Sequence, residues 1–229
     1  MVYVSHIAPF VMWMAIMIFL DVPQLTPAWR YALQTIVCSA LLLALRPWRW
    51  YARSSVRHLP LAFAVGVAVL AIWVVPELPW TQAHFPAFHK FYMRFLGVQP
   101  WVAAPAVPKL WPYAPENCGW GLTLVKMFGT SVTIAACEEL FWRSFVYRWM
   151  VGEKFWEVDL GTFRPLMFFA VNVIFGVEHP QWLAGILAGL AFGWVLLRTR
   201  DLGAAIFCHG TTNFLLGLYC LATGDYHFW

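Results

Sequence analysis

Residues 119–148 read GWGLTLVKMFGTSVTIAACEELFWRSFVYR. The run is apolar enough to sit in a bilayer and long enough to cross it, because about 20 apolar residues span the hydrocarbon core as a helix. Yet Glu138, Glu139 and Arg143 stand in its second half. A charged side chain at the centre of a bilayer costs about 2.5–3.5 kcal/mol on insertion scales, so it persists where it has a partner or a task. What surrounds this helix therefore decides both fold and chemistry.

Composition supports a membrane setting. Hydrophobic residues make up 62% of the chain and charged residues 11%, against about 25% charged in a soluble domain. Fifteen Trp and eight Tyr suit membrane–water interfaces, where a ring buries its body and keeps its polar atom wet. The net charge of +4 is small, and the basic residues fall mostly in loops, which argues against a nucleic-acid partner. Cys38, Cys118, Cys137, Cys208 and Cys220 form no CxxC pair, so neither a zinc module nor a disulfide framework is expected. The start of the chain lacks a basic stretch and a small-residue cleavage site, so the first apolar segment reads as a retained span.

Working outward, apolar runs of membrane-crossing length lie at about 4–20, 28–45, 59–78, 119–148, 165–179, 182–198 and 202–222. The expected fold is all-α, a polytopic transmembrane bundle of about seven helices. It forms one membrane domain over 1–229, with its catalytic motif region at about 119–222. The fifth and sixth runs, separated by Pro180 and Gln181, suggest a hairpin whose turn must be covered by protein. Proline-rich 79–118 reads as a loop or interfacial cap, anchored by Trp80, Trp101 and Trp111. Lys and Arg near span ends favour the cytoplasm. Arg46, Arg49, Arg53, Arg57, Arg148, Lys154, Arg164, Arg198 and Arg200 fall on one face, and Arg30, Lys90, Arg94, Lys109 and Lys126 on the other. That bias predicts a cytoplasmic N-terminus, and the basic loops and short chain suggest a bacterial inner membrane.

Three clusters carry ionisable or amide groups into the spans: Glu138, Glu139 and Arg143; Phe175, Glu178 and His179; His209 and Asn213. At 1.5 Å rise per residue, Glu138 and His179 each lie about 21 Å from the turn their helices share. His209 and Asn213 lie about 10 and 17 Å into the last span, so the clusters can meet. Glu139 and Arg143 stand at i and i+4, fit for an ion pair. Glu138 points about 100° away and lacks such a cation. Glu178, close to Pro180, reads as an interfacial side chain. The chemistry that fits is water activation. Glu138 and His179 would handle the water, while His209 and Asn213, one turn apart, would hold an oxyanion. Bland readings stand beside this: a protonated Glu138 bonded in the bundle, an interfacial His179, and His209 with Asn213 as interhelical glue. Glu138, His179 and His209 also form a conceivable zinc set, although no HExxH helix is present. Cys137 and Cys208 read as apolar thiols rather than nucleophiles. A transporter would be expected to show internal repeats, and none is found. A silent binding or immunity protein remains a different class of answer.

At these residues the chain resembles the CAAX prenyl protease and bacteriocin-processing family. The Glu-Glu-x-x-x-Arg motif stands at Glu138, Glu139 and Arg143, Phe-x-x-x-His at Phe175 and His179, and His-x-x-x-Asn at His209 and Asn213. The motifs keep the family's order, each on its own span, and cover about a third of the chain. The resemblance implies an intramembrane glutamate-dependent endopeptidase that needs no cofactor. Glu138 would be the base, His179, His209 and Asn213 would complete the site, and Glu139, Arg143 and Phe175 would support it. Its partners would be membrane lipid and a membrane-associated peptide or protein, and some bacterial relatives act beside exosortase-type protein sorting. The expected seven spans depart from the eight described for archaeal-type members.

Overall fold

Proline opens helix after helix, because its missing N–H and fixed φ suit the first turn. The computed structural model describes residues 1–20, 22–99 and 110–229. Its helices are α1 (Val2–Phe19), α2 (Pro27–Leu45), α3 (Leu59–Val74), α4 (Pro79–His84), α5 (Pro86–Tyr92), α6 (Pro115–Val151), α7 (Pro165–Val177), α8 (Trp182–Thr199) and α9 (Leu202–Thr223). No strand occurs among the described residues. Pro27, Pro79, Pro86, Pro115 and Pro165 each begin a helix. At the other ends, Arg46, Arg200 and Gly224 adopt left-handed φ, which closes the last turns of α2, α8 and α9.

Six of these segments are long and apolar enough to cross a membrane, and the 13-residue α7 is a shorter apolar helix. The expected bundle is thus observed, with boundaries close to those read from hydropathy. Two expectations need correction. Part of 79–118 is helical rather than loop, because Pro79, Pro86 and Pro115 initiate helices instead of breaking them. Residues 100–109, with Trp101 and Lys109, lie outside the described residues. Lys126, counted among the basic residues of the second face, is 8% exposed inside α6, which leaves four basic residues on that face.

The bundle is built around α9. In its apolar window 56% of residues are buried, against 28% in α1 and in α3, so the outer helices leave most of their apolar surface uncovered by protein. Helix α9 packs on α3, α6 and α8, while α1 packs on α2 and α6. Helices α7 and α8 form an antiparallel pair at close range. A Cβ on Gly185 would come within 2.9 Å of the Gly176 carbonyl oxygen, and one on Gly189 within 2.9 Å of Asn172 Oδ1. The spacing of Gly185, Gly189 and Gly193 thus lets two backbones meet where a larger residue would hold them apart.

Candidate active site

Helix α6 does not keep one pitch. It widens to i→i+5 turns over Gly129–Ile134 and again over Glu139–Val146, with Ala135–Glu138 regular between them. Wide turns of this kind recur at functional sites. Their effect here is geometric. Twelve residues of regular α-helix, three steps of four, drift by about 120° around the axis. A wide turn rotates each residue less and takes up that drift. Lys126, Thr130, Ile134 and Glu138, spaced four apart, therefore wall one cavity.

That cavity has a volume of about 180 Å³, and Trp73, Phe175, His179, Phe192, His209, Thr212 and Asn213 also line it. The three sequence clusters are brought together as the motif spacing predicted. His209 Nε2 lies 3.7 Å from Glu138 Oε2, and its Nδ1 lies 3.0 Å from Glu139 Oε1. Glu139 Oε1 is also 3.2 Å from Arg143 Nη1, so one buried carboxylate oxygen faces both the imidazole and the guanidinium. Arg143, 2% exposed, rests 3.8 Å above the Phe175 ring and reaches Asn172 Oδ1 at 3.4 Å. The second motif acts on both neighbours: Phe175 supports Arg143 by its ring face and His179 by its carbonyl.

His179 Nδ1 lies 2.9 Å from the Phe175 carbonyl oxygen. A carbonyl only accepts, so Nδ1 carries the proton and Nε2 presents a lone pair. The ring is held edge-on to Trp73, with centroids 5.7 Å apart. Asn213 Nδ2 donates to the Thr130 carbonyl at 2.9 Å, which leaves its second amide hydrogen for another acceptor. That bond also satisfies a carbonyl of the widened turn in α6, so the fold places Asn213 through the distortion itself.

The turn between α7 and α8 needed protein cover, and Gln99 supplies it. Its backbone N–H donates to the Pro180 carbonyl at 2.9 Å, and its side-chain amide donates to the carbonyls of Val177 and His179. Glu178 is largely exposed, as expected, and accepts from Trp142 Nε1 at 3.1 Å.

Sequence reasoning missed several contributors. Phe192 stacks on His209 with centroids 4.5 Å apart, yet a phenylalanine in an apolar run gives no signal. Asn172 could have been found, since a lone amide in the apolar run 165–177 asks for a partner. Gln99 looked like a loop residue, and Lys126 like a basic residue that marks a span end. The five cysteines are free, with Cys137 and Cys208 fully buried. Among the described residues, no group of three or more His, Cys, Asp or Glu side chains is arranged to hold a metal ion.

Comparison with known proteins agrees with the motif reading. Residues 120–215 match the Rce1-like family, described as type II CAAX prenyl endopeptidase Rce1-like. The matched segment runs from α6 into α9 and contains all seven motif residues. No curated protein and no solved structure gives a significant match. The family suggests proteolysis at a membrane as the general activity.

Proposed function

We propose, with the Rce1-like character of residues 120–215 as the premise, that this protein is a glutamate-dependent intramembrane endopeptidase acting on a membrane-associated peptide or protein. The observation that carries the reading is the convergence of Glu138, His179, His209 and Asn213 on one cavity inside the helical bundle. Two carboxylates, two imidazoles and an amide held together among apolar helices are costly to assemble for packing alone.

In this reading Glu138 takes one proton from the water, while the hydrogen that stays on its oxygen is hydrogen-bonded to His179 Nε2. The water oxygen bonds to the scissile carbonyl carbon, and the carbonyl oxygen becomes an oxyanion. The spare amide hydrogen of Asn213 donates to it, as does His209 Nε2 when the ring carries both protons. Glu138 then returns the proton to the peptide nitrogen as the C–N bond breaks. Glu139 fixes the orientation of His209 through Nδ1, and Arg143 holds Glu139 in turn.

The test is cleavage of a peptide library by purified protein in nanodiscs, read by mass spectrometry, with and without a chelator. Wild type should cleave, Glu138→Gln should lose about 10²–10⁴-fold with an unchanged melting temperature, and chelation should have no effect. Cleavage that survives in folded Glu138→Gln would overturn the glutamate mechanism. Loss on chelation, restored by zinc, would move the site to metal chemistry.

A further inference from the structure

The cavity that holds Glu138 has a second charged residue that the hydrolysis just described does not use. Lys126 lies on the same helix and lines the same cavity. It is 8% exposed. Its Nζ sits 4.0 Å from the Tyr31 ring centroid and 4.6 Å from that of Tyr113. Among the described residues no carboxylate lies within ion-pair distance of it. Two aromatic faces favour an ammonium in place, but they do not neutralise it. A buried cation left without an anion is costly, and burial is tolerated when a counter-charge arrives.

The two ends of the cavity therefore differ in kind. One end presents the carboxylate of Glu138 with its imidazoles, and Lys126 lines the other, its ammonium resting on the rings of Tyr31 and Tyr113. Their Cα atoms are separated by twelve residues of helix, at most about 18 Å along the axis. An extended peptide covers that distance in about four to six residues at roughly 3.3 Å each. The widened turn at Gly129–Ile134 matters for this arrangement, because a regular helix would rotate Lys126 away from the face that carries Glu138.

We propose that Lys126 is a specificity-determining residue, which holds a carboxylate of the substrate about four to six residues from the peptide bond that Glu138 addresses. The inference rests on the protease reading for the identity of that bond. The charge is a carboxylate on the peptide itself, either the free C-terminus or an acidic side chain. A bidentate partner is not required, since an ammonium acts as a point charge. The tyrosine platform fixes where that charge stands.

The test measures binding, so that it does not depend on turnover. A pool of randomised apolar peptides is prepared in three forms: free acid, C-terminal amide, and amide with one internal Glu. Each form is captured on the Glu138→Gln protein in nanodiscs and quantified by mass spectrometry. Enrichment of an anionic form over the plain amide by about 10-fold or more is expected, the scale of a charge-assisted contact. Which of the two anionic forms is enriched distinguishes the sources. Adding Lys126→Met should abolish the preference, Lys126→Arg should retain it, and all variants should keep their melting transition. Equal capture of all three forms, or a preference that survives Lys126→Met, would overturn the proposal. If the preference appears while wild type cleaves nothing, the carboxylate site stands and the protease reading fails.

Discussion

Two buried histidine clusters lean on α6, and they differ in what the second ring nitrogen does. His6, 1% exposed, uses both: Nδ1 lies 2.7 Å from the Val2 carbonyl oxygen and Nε2 lies 2.5 Å from the Tyr51 hydroxyl. Tyr51 also bonds Ser144, which accepts from Arg148 Nη1 at 3.1 Å, and Arg148 Nε donates to the Val158 carbonyl at 2.9 Å. The network begins and ends on backbone. His179 and His209 each anchor one nitrogen, on Phe175 and on Glu139, and turn the other toward the cavity. Burial of polar groups is common to both clusters, so burial alone does not mark chemistry. The mark is a ring fixed at one nitrogen and open at the other.

The largest effect should come from exchanging rings across that divide. His179→Gln removes the open Nε2 and is expected to lower kcat about 100-fold or more, with little change in melting. His6→Gln breaks a closed network and should do the reverse, lowering stability by about 1–3 kcal/mol while kcat stays near wild type. Peptide cleavage and thermal unfolding of both variants measure the two readouts. Equal loss of turnover in both would erase the distinction between open and closed rings.

A smaller effect should follow from pressing on the support of the open ring. A Cβ at Gly189 meets Asn172 Oδ1 at 2.9 Å, Phe175 Cδ1 at 2.9 Å and Arg143 Nη2 at 3.1 Å. Gly189→Leu overpacks that contact and is expected to cost about 1–3 kcal/mol, lowering both melting temperature and turnover. Gly121→Leu is the control, because nothing lies within 4 Å of a Cβ there. If Gly189→Leu melts and cleaves as the control does, α7 and α8 do not depend on their close approach.

The same contrast explains what was legible in the sequence. Glu138, Glu139, Arg143, His179, His209 and Asn213 stood out because ionisable and amide groups are rare in apolar spans, and their spacing gave their depths. Seven helices followed from hydropathy, although α7, at 13 residues, is shorter than the other six. Lys126 escaped because a lysine near a span end resembles a topology signal, and only the widened turn brings it to the cavity that Glu138 lines. Residues 79–92 escaped because proline both breaks helices and starts them. Gln99 escaped because one polar residue in a proline-rich connection carries no pattern. His6 and Tyr51 are 45 residues apart in the chain, and no periodicity links them.

A third histidine carries the comparison outside the membrane-spanning helices, and its expected effect is the smallest. His58 Nδ1 lies 2.9 Å from Asp201 Oδ2, Ser55 N–H donates to the same oxygen at 2.9 Å, and Ala204 N–H donates to Oδ1 at 3.3 Å, capping α9. Burial pushes the Asp201 carboxyl upward, but the bonds from His58, Ser55, Ser54 and Ala204 outweigh it and hold the group below its usual value. A lowered folded-state value means the charge stabilises the fold above the ordinary Asp value of about 3.9. That contribution is lost as pH falls through the folded-state value. Asp201→Asn keeps a good helix cap and removes the charge. Wild type should therefore exceed the variant by up to about 1 kcal/mol near neutrality, and the gap should close on acidification below about pH 4. Thermal melts of both proteins across that range measure it. A gap that persists unchanged in acid would mean that the difference between the two proteins does not come from the Asp201 charge.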